Sequence, residues 1–128
     1  MSYGTQLRES LDFIEAHLDE KITLELLAQK AHLSKYHYHR LFHKTAGEPL
    51  TKYIHKRRME KAAGELVNTE QPIIEIALKY QYGSQEAFSR AFTRIYTLTP
   101  GKYRKINKPA GKIISFCAYN NQAARTAA

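Results

Sequence analysis

The chain has 128 residues, 43% of them hydrophobic, with 20 Lys and Arg against 12 Asp and Glu, a net charge of +8 and one cysteine. That length suits one domain or two small modules sharing a core, and a lone Cys117 excludes a disulfide scaffold or a thiolate metal cage. The sequence holds no run of about 18 apolar residues and no basic leader followed by an apolar stretch, so a cytoplasmic protein without membrane span or signal peptide is expected.

The positive excess points to nucleic acid or an anionic surface as partner, and its distribution is uneven. Residues 1–33 carry −3, residues 34–66 carry +5, residues 67–96 are neutral and residues 97–128 carry +6. A solvated face with a basic tail would also account for charge alone.

Taken in order, Leu7, Leu11, Ile14 and Leu18 form one stripe of a helix over about residues 5–18. Thr23 is a fitting N-cap for a second helix carrying Leu24, Leu27, Ala28 and Ala31. Ser34 caps a third, with Tyr38, Leu41, Phe42 and Thr45 inward, Tyr36, His39, Arg40 and His43 outward, and Gly47 as its stop. Pro49 opens a long fourth helix to about Leu66, with Leu50, Ile54, Ala62 and Leu66 on one stripe. Ile73, Ile76, Ala77 and Tyr80 give a fifth helix that stops near Gly83, and Ser84 caps a sixth with Phe88, Ala91, Phe92 and Ile95 inward. Thr99-Pro100 opens a short seventh, to about Ile106. The expected class is all-α, with seven helices and no strand before residue 110. Beyond residue 107 an apolar run, Ile113 to Tyr119, sits in a tail of residues 108–128 that reads equally as a packed strand, the stump of a further domain or a disordered end.

A shift of 50 residues superposes Ser34 on Ser84, Tyr38 on Phe88, Arg40 on Arg90, Phe42 on Phe92, Lys44 on Arg94, Lys52 on Lys102 and Tyr53 on Tyr103. Upstream, Leu27-Ala28 matches Ile76-Ala77 at a shift of 49, which places one extra residue in the second turn, near Gly83. Each copy is a short helix, a tight turn and a Ser-capped second helix: a helix-turn-helix unit, at about residues 24–45 and 73–96, joined by a helix over about 49–66. A second helix of this kind suits a major groove, because its N-terminal amides meet phosphate and its polar face reaches base edges. That face is Tyr36, His39, Arg40 and His43 in the first copy and Glu86, Ser89, Arg90 and Thr93 in the second, with Lys35 and Gln85 at the helix starts. Arg suits guanine, Gln adenine, Glu the cytosine amino group and Tyr the thymine methyl. At about 1.5 Å per residue the connecting helix spans roughly 27 Å, close to the roughly 34 Å between successive groove faces of B-DNA. One chain is thus expected to bind two groove segments as a monomer, with some bending of the DNA.

These residues resemble the AraC/XylS family of bacterial transcription regulators over about residues 5–106. The most specific part is Ile76-Ala77, Tyr82-Gly83-Ser84-Gln85, Phe88-Ser89-Arg90-Ala91-Phe92 and Thr99-Pro100-Gly101-Lys102-Tyr103-Arg104. The first unit fits as well, from Leu27-Ala28 through Ser34-Lys35-Tyr36-His37 to Arg40-Leu41-Phe42 and Gly47, as do Tyr53-Ile54 and Arg57 or Arg58. In length and arrangement the chain looks like the small stand-alone stress-response activators, which lack a ligand-binding domain. The resemblance implies a DNA-binding activator with RNA polymerase as a further partner. It places base contacts at Tyr36, His39 and Arg40, and at Gln85, Glu86, Ser89 and Arg90. Tyr36 stands where those activators commonly have Trp, His39 where a Gln-like residue is usual, and Glu86 at a commonly uncharged position. Ser34, Lys35, Lys44, Ser84, Arg94, Lys102 and Arg104 are candidates for phosphate.

Other readings of the same residues are weaker. Arg40 and Arg90 would otherwise be solvated surface, Tyr36 would cover the core edge, and Glu86 would only favour its helix N-terminus. All six histidines lie between residues 17 and 55, and His39 and His43 are one turn apart, yet no HExxH pattern and no nearby Cys accompany them. No metal, cofactor or enzymatic activity is expected, since Cys117 lies in an apolar run with no His close in sequence. A nonspecific architectural DNA binder is the nearer alternative, and a His-metal or Cys-dependent enzyme the more distant one.

Overall fold

The computed structural model describes residues 3–107, which form seven helices and no strand. The tail of residues 108–128, with Cys117 and its three readings, lies outside the described residues. The described residues form two compact units, divided in the chain between Arg58 and Met59. Among the described residues no helix is long and apolar enough to cross a membrane.

The first unit holds α1 (Tyr3–Ala16), α2 (Leu24–Lys30), α3 (Lys35–Ala46) and the opening half of α4 (Leu50–Asn68). Its core is Leu7, Ile14, Leu18, Leu27, Ala28, Tyr38, Phe42 and Ile54. Two arginines of α4 tie that helix to α1. Arg57 makes a two-point ion pair with Glu15, at 2.6 and 2.7 Å. Arg58 donates to the carbonyls of Leu18 at 2.8 Å and Glu20 at 2.7 Å, just past the end of α1, where carbonyls lack helical partners and favour a cation.

The second unit holds the rest of α4, then α5 (Ile73–Lys79), α6 (Gln85–Tyr96) and α7 (Pro100–Asn107). Its core is Met59, Ala62, Leu66, Ile76, Ala77, Tyr80, Phe88 and Phe92. The same solution recurs at the end of α4. Arg104 donates to the carbonyls of Leu66 at 2.8 Å, Thr69 at 3.3 Å and Gln71 at 2.6 Å. Nearby, the Glu65 carboxylate accepts from the Tyr80 hydroxyl and, at 2.8 Å, from Lys79 Nζ.

The two units repeat each other in detail. α2 ends with His32 at φ 60° and the Leu33 amide bonded to the Ala28 carbonyl. α5 ends with Gln81 at φ 74° and Tyr82 bonded to Ala77, the same six-to-one closure of a helix end. Leu33 alone then precedes Ser34, whereas Tyr82-Gly83 precede Ser84, so the extra residue expected near Gly83 is where the sequence placed it. In the cores, Phe42 meets Tyr53 edge-on at 5.5 Å and 72°, and Phe92 meets Tyr103 at 5.2 Å and 77°.

Some expectations shift. α1 is helical from Tyr3 to Ala16 because the His17 amide turns back to Ile14, while Leu18 stays buried outside the helix. α4 runs two residues further, to Asn68. Thr45 and Ile95, expected inward, are exposed. They are equivalent positions in the last turns of twelve-residue helices whose hairpin partners, α2 and α5, have only seven residues and cover less than the full length.

Candidate nucleic-acid interface

α3 and α6 start alike. The Ser34 hydroxyl accepts from the His37 amide and the Ser84 hydroxyl from the Ala87 amide, each at 3.1 Å, with extended backbone at both caps. The caps fix where each helix begins, and therefore which side chains face outward. They end alike as well: Gly47 at φ 81° and Thr97 at φ 62° close α3 and α6 with amides bonded to His43 and Thr93.

On α3 the buried aromatics Tyr38 and Phe42 fix the inner face, so Lys35, Tyr36, His39, Arg40, His43 and Lys44 are all exposed. Tyr36 is 69% exposed, which removes the reading that it covers the core edge. It is also paired: Arg40 Nη1 donates to its hydroxyl at 3.0 Å and the guanidinium lies 5.5 Å from its ring centroid. Four-residue spacing on a helix face is the signal in the sequence for such a pair. His39 and His43 meet edge-on at 6.3 Å. Lys35 makes an open ion pair of 3.4 Å with Glu25 of α2. The Glu25 carboxyl is held below its ordinary range by a backbone hydrogen bond at its own position and then by Lys35.

On α6, Phe88, Ala91 and Phe92 face inward, leaving Gln85, Glu86, Arg90 and Arg94 exposed. Ser84, Ser89 and Thr93 are half-buried, so the outward face is narrower than periodicity suggested. Lys102 is exposed near the start of α7, where its amide caps on Thr99 Oγ1 at 3.3 Å. Arg104 differs from the other phosphate candidates. Its Nε and Nη2 donate to three main-chain carbonyls, so the side chain clamps the end of α4 to the link that follows it. The 50-residue shift places Arg104 on Ile54, so the repeat carried no signal of this role.

No group of three or more His, Cys, Asp or Glu that could hold a metal occurs among the described residues. α3 thus exposes a basic, histidine-rich face, and α6 exposes one of mixed charge.

A helix-turn-helix domain family matches residues 27–106, from within α2 into α7. An HTH-type transcriptional regulator of Bacillus subtilis, YbfP, is 42% identical over 108 residues, 84% of this chain and 37% of its own length. The chain therefore spans little more than a third of that relative. The HTH-type transcriptional activator AarP of Providencia stuartii is 40% identical over 98 residues, 77% of this chain and 73% of AarP. Among solved structures, the DNA-binding domain of the global transcriptional factor AdpA, in complex with a target DNA, is similar with a TM-score of 0.73 and 25% identity, covering 78% of this chain and 90% of that one. On these matches the chain belongs to the AraC-type helix-turn-helix family.

Proposed function

We propose that the chain is a sequence-specific DNA-binding transcription regulator, an activator, that places α3 and α6 in successive major-groove segments as a monomer. The observation that carries this reading is the pair of Ser-capped helices, each with its aromatic face buried and its polar face exposed, at matching positions 50 residues apart. Tyr36, His39 and Arg40 on α3, and Gln85, Glu86, Ser89 and Arg90 on α6, make up the two faces turned to the bases. Lys35, Lys44, Arg94 and Lys102 meet phosphate, joined by the Ser34 and Ser84 caps, whose hydroxyl hydrogens remain available to an anion. Lys35 exchanges Glu25 for phosphate on binding, a small exchange because exposed ion pairs contribute about 1 kcal/mol or less. Relatives named as regulators and an activator support the regulatory role, with RNA polymerase as the second partner and the cytoplasm as the site of action. α4, at 19 residues, is about 28 Å long at 1.5 Å per residue and suits two modules on one chain.

Binding to a selected duplex and to random duplex, measured at rising salt, tests the reading. Site preference that survives when the electrostatic part is weakened supports it. Equal loss for both duplexes points to the architectural alternative, and a stoichiometry of two chains per site contradicts the monomer.

A further inference from the structure

The Arg40–Tyr36 pair gives the two recognition helices different ways of presenting the same residue. Arg40 and Arg90 occupy equivalent positions, and the residue one turn earlier is Tyr36 in α3 and Glu86 in α6. The Tyr36 hydroxyl receives an Nη1 hydrogen of Arg40 at 3.0 Å, and the guanidinium lies 5.5 Å from the ring centroid, within the roughly 6 Å at which a cation and an aromatic face attract. Glu86 and Arg90 are both exposed and, among the described residues, neither makes a side-chain hydrogen bond or ion pair.

We infer that Tyr36 is a positioning residue: it holds the guanidinium of Arg40 ready for a base edge, and does not itself read a base. The chemistry allows both contacts at once. A guanidinium has five N–H donors in a planar fork, and giving one Nη1 hydrogen to the phenol leaves the Nε and Nη2 edge free for guanine O6 and N7. An unheld Arg loses side-chain freedom when it binds, and holding it beforehand reduces that loss. Tyr36 is exposed and Arg40 is exposed, so the core does not impose this arrangement; the pair arises from the helix spacing of the two residues. Arg90 has no such holder, so its contact forms entirely on binding.

The inference rests on the proposed recognition face, and the experiment separates the two. Wild type, Y36F, R40A and the double variant are each used to select sequences from a random duplex pool, and their affinities for the wild-type site are measured. Tyr36→Phe keeps the ring and removes the hydroxyl, at an exposed position where folding is not at risk. The expected result is that Y36F relaxes preference at the same base pair as R40A, weakens the selected site roughly threefold to tenfold, leaves random duplex unaffected, and adds nothing in the R40A background. Relaxation at a different base pair, a full additive effect in the double variant, or no effect of Y36F would overturn the inference and return Tyr36 to the role of reader. If R40A itself keeps the wild-type preference at every position, the recognition face is wrongly assigned and the inference falls with it.

Discussion

Replacing Arg104 by Ala distinguishes a clamp from a phosphate contact. The side chain gives hydrogen bonds of 2.8, 3.3 and 2.6 Å to the carbonyls of Leu66, Thr69 and Gln71, which span the end of α4 and the link toward α5. A hydrogen bond from a charged donor contributes about 1.5 to 3 kcal/mol net, but the site is part-buried and water can reach the freed carbonyls, so the three together are worth about 2 to 3 kcal/mol rather than their sum. In a chain of this size 1 kcal/mol moves the midpoint by about 3 to 6 °C, giving a fall of roughly 6 to 18 °C in thermal unfolding followed by circular dichroism. Arg104→Lys is expected to recover less than half, because an ammonium on one stem cannot span three acceptors in a planar fork. Below the transition both variants are expected to bind DNA with unchanged dependence on salt. An R104A chain that melts as wild type does, yet binds every duplex more weakly and with a shallower salt slope, would show that the guanidinium serves phosphate after all.

Other changes test the site and the repeat. Arg40→Ala and Arg90→Ala should each cost about 1 to 3 kcal/mol at the selected site and relax preference at one base pair, whereas Lys102→Ala should weaken all duplexes alike and lower the salt slope by about one unit; band shifts at several salt concentrations tell the two patterns apart. Thr97 closes α6 at φ 62°, where Gly47 closes α3 at φ 81°. Thr97→Gly should therefore stabilise the chain by about 1 kcal/mol in urea unfolding, and Gly47→Ala should destabilise it by about as much. Tyr38 is fully buried where the second unit has Phe88, and its hydroxyl makes no full hydrogen bond among the described residues although Ser10 lies beside it. Burial pushes that phenol above its ordinary value, with the Ser10 contact opposing more weakly. Because its folded pKa is raised, the neutral phenol contributes stability below the unfolded value, near 10, that is lost as pH climbs through the folded one. Tyr38→Phe should change stability at pH 7 by less than about 1 kcal/mol and flatten the alkaline limb of a stability–pH curve; an unchanged limb would refute the assignment.

The fold was legible because local signals agreed. Ser34 and Ser84 mark helix starts, Gly47 and the Thr99-Pro100 pair mark breaks, and the spacing of Tyr38–Phe42 and Phe88–Phe92 places the inner faces. The one-residue difference between the turns was visible as a change of shift from 49 to 50. Periodicity failed where it met the ends of helices: it carried the apolar stripe onto Thr45 and Ile95, which the seven-residue helices α2 and α5 leave uncovered. It also gave no account of the left-handed turns at His32, Gln81 and Thr97, where residues with side chains do what glycine usually does. At the site, exposure of the two faces followed from the pattern, but the partners of exposed charges did not. The Lys35–Glu25 and Arg40–Tyr36 pairs depend on where side chains reach, and the clamp at Arg104 on a tertiary contact 33 to 38 residues away in the chain.

Selection of duplexes from a random pool by the full chain tests the central claim most directly. Two reading helices on one chain predict a bipartite motif: two short conserved blocks, their centres about one turn of B-DNA apart, one block altered by Arg40→Ala and the other by Arg90→Ala. A single block, or a pool with no preference left at high salt, would contradict it.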